Sequence, residues 1–287
     1  MTKTPPTDES SQVLYRGIDR EALDAAYNNS AAVTGSAEIV AGWREVSAKI
    51  RTRPSARLDI SYGERRRMTL DYFPCGVPNA PLFAFIHGGY WQRNDKNGFS
   101  VFALGPLAHG IDVAMLGYTI APEAHLGTIV NEISDALDHL GSHAGDFGFD
   151  SSRLFVGGWS AGGHLTAMML GHPLVRGGLA ISGIFDLEPI ALSYLNEPLS
   201  LSEDQITELS PILLIDSSLA PVRVVFGGEE LSELRRQSED YAAAAGAASM
   251  SVSLRMAQGR NHFTILEELR DPDGGLTQDL IALIDAV

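Results

Sequence analysis

A strand-like run, a sharp turn and a helical pattern meet within residues 153–171, and the joint between them leaves little choice of fold. Arg153-Leu-Phe-Val-Gly157 is apolar and β-prone, Gly158-Trp-Ser-Ala-Gly162 follows without a spacer, and helical spacing begins at once. A serine on so tight a strand-to-helix turn takes a strained backbone conformation that exposes its hydroxyl. The positions two before and two after it crowd together, and Gly158 and Gly162 meet that need. The turn works only where a helix packs back onto its own strand, which is the repeating unit of α/β folds.

The rest of the chain repeats that unit. Leu58–Tyr62 and Met68–Tyr72 flank the turn Gly63-Glu64-Arg65 and read as a hairpin. Pro81–Ile86, Val113–Leu116, Arg153–Val156, Leu179–Ser182, Val222–Phe226 and Ser251–Arg255 read as further strands. Continuous apolar runs such as Pro81-Leu-Phe-Ala-Phe-Ile86 are what strands covered on both faces require. Helical spacing falls at about 97–109, 126–140, 161–171, 231–246 and 276–286. The expected fold class is α/β: a mostly parallel eight-stranded sheet with helices on both faces. Residues 1–13 are expected to be a disordered tail, 14–54 an N-terminal helical segment, and 55–287 the main domain. The interval 187–221, with Pro189, Pro198 and Pro211, exceeds a usual crossover and is expected to form a small lid at the carboxyl edge of the sheet.

Composition narrows the function classes. A formal charge of −15 opposes nucleic acid and anionic membrane surfaces, both of which demand a positive field. Cys75 is the single cysteine, so no intrachain disulfide can form. The polar stretch Met1–Gln12 lacks the apolar core of a signal peptide, and no run reaches the roughly 18 apolar residues of a spanning helix. The expectation is a soluble, cytoplasmic protein acting on a small molecule; the sequence does not reveal whether it forms a homo-oligomer. No phosphate loop, dinucleotide fingerprint or Cys/His cluster appears, so no cofactor is expected. His139 and His143 have a metal-compatible spacing but no third ligand, and read as a solvated helix face, as Arg65-Arg66-Arg67 reads as a solvated hairpin.

A serine hydroxyl needs a base to take its proton and an acid to orient that base. With Ser160 as nucleophile, chain order places the acid next and the histidine last. His172 ends a helix before the later strands, whereas His262, in Gln258-Gly-Arg-Asn-His-Phe263, follows the last strand and is the expected base. The acid should follow Val222–Phe226, where Gly227-Gly-Glu-Glu230 offers Glu229 and Glu230; Asp186, after the preceding strand, is a third candidate or a cap for the lid segment. Oxyanion donors are expected from the N–H groups of Ala161 and of Gly88 and Gly89 in His87-Gly-Gly-Tyr-Trp91, with Tyr90 as an alternative donor and His87 bracing that loop. Tyr90, Trp91, Tyr118 and Trp159 are the aromatic candidates for a substrate pocket.

Phe85-Ile-His-Gly-Gly-Tyr-Trp-Gln92, Gly117-Tyr-Thr-Ile-Ala-Pro122 and Ser160-Ala-Gly-Gly-His-Leu165 together resemble the kynurenine formamidase-like branch of the α/β-hydrolases, neighbour to the hormone-sensitive-lipase-like esterases. The resemblance spans roughly residues 55–287 and implies a cofactor-free serine hydrolase of small ester or amide bonds, with the acid on Glu230. The family's elbow often carries His before the serine, where this chain has Trp159, and Ala where it has Gly163. The first expectation is therefore a carboxylesterase working through an acyl-enzyme. An arylformamidase is the alternative, and an inactive ligand-binding relative the remote one.

Overall fold

The computed structural model describes residues 13–287; the N-terminal tail expected over 1–13 lies almost wholly outside them. The described residues begin with helices α1 (Arg20–Ala26), α2 (Asn29–Ala32) and α3 (Ser36–Arg51). Asp19 and Asn28 start the first two by accepting backbone N–H bonds from Ala22 and Ala31, the role short polar side chains play at a helix start. Strands β1 (Arg57–Ser61), β2 (Thr69–Phe73) and β3 (Ala80–Ile86) follow. After them come α4 (Leu104–Ala108), β4 (Asp112–Leu116), α5 (Leu126–Ser142), α6 (Ala144–Phe147), β5 (Phe149–Trp159), α7 (Ala161–Met168) and β6 (Val175–Ile181). The insertion holds α8 (Glu188–Ala191), α9 (Asn196–Leu199) and α10 (Glu203–Leu209). The chain closes with β7 (Val222–Gly227), α11 (Ser232–Ala247), β8 (Val252–Ala257), α12 (Glu267–Arg270) and α13 (Gly275–Ile284).

The strands form one sheet in the order β1-β2-β4-β3-β5-β6-β7-β8. β1 and β2 pair antiparallel, as does β2 with β4; every later pair is parallel. Alternation along the central strands sorts side chains to two faces. On β3, Leu82, Ala84 and Ile86 pack with Ile129, Ile133 and Leu137 of α5 and Leu165 of α7. Phe83 and Phe85 face the other way, toward Trp43 and Ile50 of α3 and Leu276, Leu280 and Leu283 of α13. A third cluster, with Phe185 and Tyr241 stacked at 4.2 Å, fills the far end.

Two expectations need correction. The pattern at 97–109 does not make one helix; 3₁₀ turns at Lys96–Gly98 and Ser100–Ala103 precede α4, whose Pro106 has no N–H to carry the helical ladder back through them. Arg67 is not solvated with its neighbours: its guanidinium donates to the carbonyl oxygens of Tyr118 and Asn94, tying the β1–β2 hairpin to the loops after β4 and β3. Among the described residues no helix is long and apolar enough to cross a membrane.

Candidate active site

The turn from β5 to α7 has the geometry its glycines imply. Ser160 takes φ +59° and ψ −118°, a strained conformation for a non-glycine residue, and its N–H is anchored to the Ile181 carbonyl oxygen at 2.8 Å. A Cβ on Gly162 would collide with the Ile86 carbonyl oxygen, and one on Gly158 would lie 2.5 Å from the Gly162 carbonyl oxygen. The strain is thus held by close backbone contact between β3, β5 and the first turn of α7.

His262 is carried by the loop after β8 and is 3 % exposed. Its Nδ1 lies 3.0 Å from Oε2 of Glu230. The other oxygen, Oε1, accepts from Ser182 Oγ at 2.6 Å and from the Gly227 N–H at 2.7 Å, so the carboxylate cannot rotate freely. Glu229 is exposed and takes no part. Asp186 accepts from Tyr15 Oη at 2.8 Å and from the Glu188 N–H at 3.0 Å, so its carboxylate is engaged at the start of the insertion. His172 pairs instead with Asp138, at 3.3 Å.

The loop after β3 wraps over the serine. A Cβ on Gly88 would meet the Trp159 ring and the Ser160 Cβ at 2.6 and 3.0 Å, and Gly89 has φ +124°. Tyr90 and Trp91 also take positive φ, of +52° and +57°. The Gly88 carbonyl oxygen faces His87 Nδ1 at 2.9 Å and accepts from Asn94 Nδ2 at 3.1 Å. Burial pushes the His87 imidazole down to about 4, so the ring is neutral near pH 7 and its Nδ1 must carry the proton it donates. Fixing that carbonyl fixes the Gly88–Gly89 peptide plane, with the Gly89 N–H directed oppositely. Among the described residues the N–H groups of Gly88, Gly89 and Ala161 donate to no protein acceptor.

These elements converge on a cavity of about 150 Å³ lined by Ser160 and His262 together with Gly89, Tyr90, Trp159 and Phe263. Its remaining wall is built by Asn28, Asn29, Ser30 and Val40 of the N-terminal segment, Arg93 and Asn94 after the glycine loop, and Tyr194 of the insertion. Of the four aromatic candidates, Tyr90 and Trp159 line it. Trp91 and Tyr118 do not: Trp91 packs edge-on against His164, and Tyr118 stacks on His87 at 4.3 Å while donating to the His87 carbonyl oxygen. Both face inward because the loop they support must be backed by a packed core.

Sequence reasoning missed Ser182, Asn29, Arg93, Asn94 and Tyr194. Asn94 alone carried a signal, as an asparagine a few positions beyond the glycine loop, a residue type suited to the left-handed backbone (φ +73°) it takes in the structure. Among the described residues no group of three His, Cys, Asp or Glu side chains could hold a metal ion. His139 of α5 and His143, at the cap that ends it, stack at 4.2 Å.

The strand order, the strained serine between β5 and α7 and the buried His–Glu pair beyond β7 and β8 define an α/β-hydrolase. Comparison with known proteins narrows this. The family model BD-FAE matches residues 72–172. A kynurenine formamidase of Danio rerio is 31% identical over 260 residues, covering 85% of this chain and 87% of the relative. A solved structure described as a candidate thioesterase of Silicibacter sp. superposes with TM-score 0.81 at 31% identity, covering 92% of this chain and 98% of that one. The carboxylesterase EstE1 superposes with TM-score 0.72 at 18% identity over 87% and 95%, a likeness of fold. The chain belongs to the kynurenine formamidase-like family of α/β-hydrolases and is a hydrolase of ester or amide bonds.

Proposed function

We propose that this protein is a serine carboxylic ester hydrolase for small acyl groups, working through an acyl-enzyme on Ser160. Ser160 Oγ attacks the carbonyl carbon as His262 takes its proton. The carbonyl oxygen, now negative, is met by the N–H groups of Gly88, Gly89 and Ala161, whose positions need no rearrangement at the moment of reaction. His262 returns the proton to the leaving oxygen or nitrogen. It then draws a proton from water, which attacks the acyl-enzyme and frees Ser160. Glu230 keeps the imidazole in the tautomer with hydrogen on Nδ1 and stabilises its cationic form.

The observation that carries this reading is the buried His262–Glu230 pair, 3.0 Å apart, at the same cavity as a serine held at φ +59°. A cavity of about 150 Å³ suits an acyl group of few atoms. A fluorophosphonate probe should label the native protein at Ser160 and leave Ser160→Ala unlabelled. Full aryl acetate turnover by Ser160→Ala would overturn the mechanism, which otherwise predicts a loss of about 10⁴-fold or more.

A second reading is cleavage of N-formyl aryl amides. The relative named kynurenine formamidase supports it, as does an aromatic wall of Tyr90, Trp159, Tyr194 and Phe263 around so small a space. Turnover of N-formylkynurenine against that of short aryl acetates decides between the readings; no detectable formamide cleavage removes the second.

A further inference from the structure

Two consecutive residues at the carboxyl end of β6 touch opposite ends of the Ser160–His262–Glu230 array. The Ile181 carbonyl oxygen accepts from the Ser160 N–H at 2.8 Å, and the Ser182 hydroxyl donates to Oε1 of Glu230 at 2.6 Å. Ser182 is anchored in turn, its N–H bonded to the Val225 carbonyl oxygen of β7 at 2.7 Å. Among the described residues its hydroxyl bonds to nothing but Glu230.

The backbone at Ser182 is strained. The residue takes φ +49° while fully buried. Glycine accepts this left-handed conformation freely, whereas a side chain there crowds the following carbonyl oxygen. A strained residue persists only where the surrounding structure holds it, and such residues cluster at sites of function. What Ser182 supplies that glycine could not is its hydroxyl.

Glu230 has a use for it. Its carboxylate ends a long side chain, and burial alone does not choose which oxygen faces the imidazole. Two donors occupy Oε1, Ser182 Oγ and the Gly227 N–H at 2.7 Å, and so leave Oε2 to His262 Nδ1 at 3.0 Å. The Gly227 donor belongs to the same turn as Glu230 and moves with it. Ser182 reaches over from the neighbouring strand, and so ties the carboxylate to the sheet rather than to its own loop.

We infer that Ser182 is a positioning residue that acts through Glu230, fixing the carboxylate edge that orients His262, and that the strained backbone after β6 is kept for this purpose. The inference rests on the acyl-transfer reading above. It adds that one strand end braces both Ser160 and Glu230, through Ile181 and Ser182.

The test separates the hydroxyl from the strain. Ser182→Ala removes the hydroxyl and keeps the strain; Ser182→Gly removes both. For each, kcat and KM on an aryl acetate and the midpoint of urea unfolding are measured, in the native background and in Glu230→Gln. Both variants should lose about tenfold in kcat, with KM within about twofold of native, as expected when a charge-assisted hydrogen bond behind the base is lost. Ser182→Gly should nevertheless unfold at higher urea than Ser182→Ala. In Glu230→Gln neither substitution should cost more than about a further twofold, because the group it acts through is already spoiled. A native kcat in Ser182→Gly overturns the inference, since activity would then follow stability and not the hydroxyl. A loss that persists undiminished in Glu230→Gln overturns it too, since Ser182 would not act through the carboxylate. Should Ser182→Ala fail to fold, Ser182→Gly in the two backgrounds decides alone. Either reversal leaves the acyl-transfer reading standing where a fluorophosphonate labels Ser160; a native protein not labelled there removes that reading and the inference with it.

Discussion

Trp159 donates its indole N–H to the backbone carbonyl oxygen of His262 at 2.7 Å, and the two rings lie 4.8 Å apart. The residue that precedes Ser160 therefore holds the loop that carries the His262 imidazole. Trp159→Phe keeps a ring in the aromatic cluster with Trp43 and Phe263 but leaves that buried carbonyl unmet, at a cost of about 1–3 kcal/mol. We expect kcat on an aryl acetate to drop about tenfold with little change in KM, because the base is displaced while the acyl site remains. A lowered melting temperature with unchanged kcat would assign Trp159 to packing alone.

Glu229 and Glu230 are adjacent and chemically identical, and differ only in where the turn after β7 directs them. Glu230 is buried against His262, Ser182 and the Gly227 N–H, whereas Glu229 faces solvent. Glu230→Gln should cost about 10³–10⁴-fold in kcat by spoiling the tautomer and the charge behind the imidazole. Glu229→Gln should stay within about twofold of the native rate, as exposed charges do. Comparable losses in both variants would contradict the geometry.

That pair also marks the limit of what could be read from the residues. Strands β3 to β7 were legible because burial on both faces demands unbroken apolar runs such as Leu82–Ile86, and Ser160 and His262 stood out because the order of elements filters the histidines. The choice between Glu229 and Glu230 depends on the path of one turn, which no periodicity records. The wall of the cavity was less legible still. Asn29, Arg93 and Tyr194 reach it from segments far apart in the chain, and only tertiary docking brings them together. Trp91 and Tyr118 show the converse: aromatic residues near a reactive loop can serve as its packed backing.

Asn94 and His87 both address the Gly88 carbonyl oxygen, and the Gly89 N–H shares that peptide plane. At φ +73° a glycine is tolerated without added strain, so Asn94→Gly removes the amide and little else. If Asn94 keeps an oxyanion donor aligned, kcat should fall about tenfold while KM holds, the pattern of an interaction felt in the transition state. A rise in KM with kcat intact would instead place Asn94 in ground-state binding.

His87 and His164 are buried imidazoles, and burial pushes each down to about 4 from an ordinary value of 6.5. Between those values the unfolded chain binds protons that the native state refuses, so stability must rise with pH across this window. The stabilising term is fully present above about pH 6.5 and is lost as pH falls toward 4, on the order of 3 kcal/mol for each ring if fully expressed. Urea unfolding between pH 4 and 7 should therefore show a steep loss of stability on the acid side. His164 donates Nε2–H to the Leu209 carbonyl oxygen at 2.8 Å, while its Nδ1 is buried without a partner. His164→Gln can reach the same carbonyl and cannot take up a proton, so it should flatten part of the slope even if it lowers stability at pH 7. A native protein equally stable at pH 4.5 and 7, or a slope untouched by His164→Gln, would show that these rings do not stay neutral in the fold.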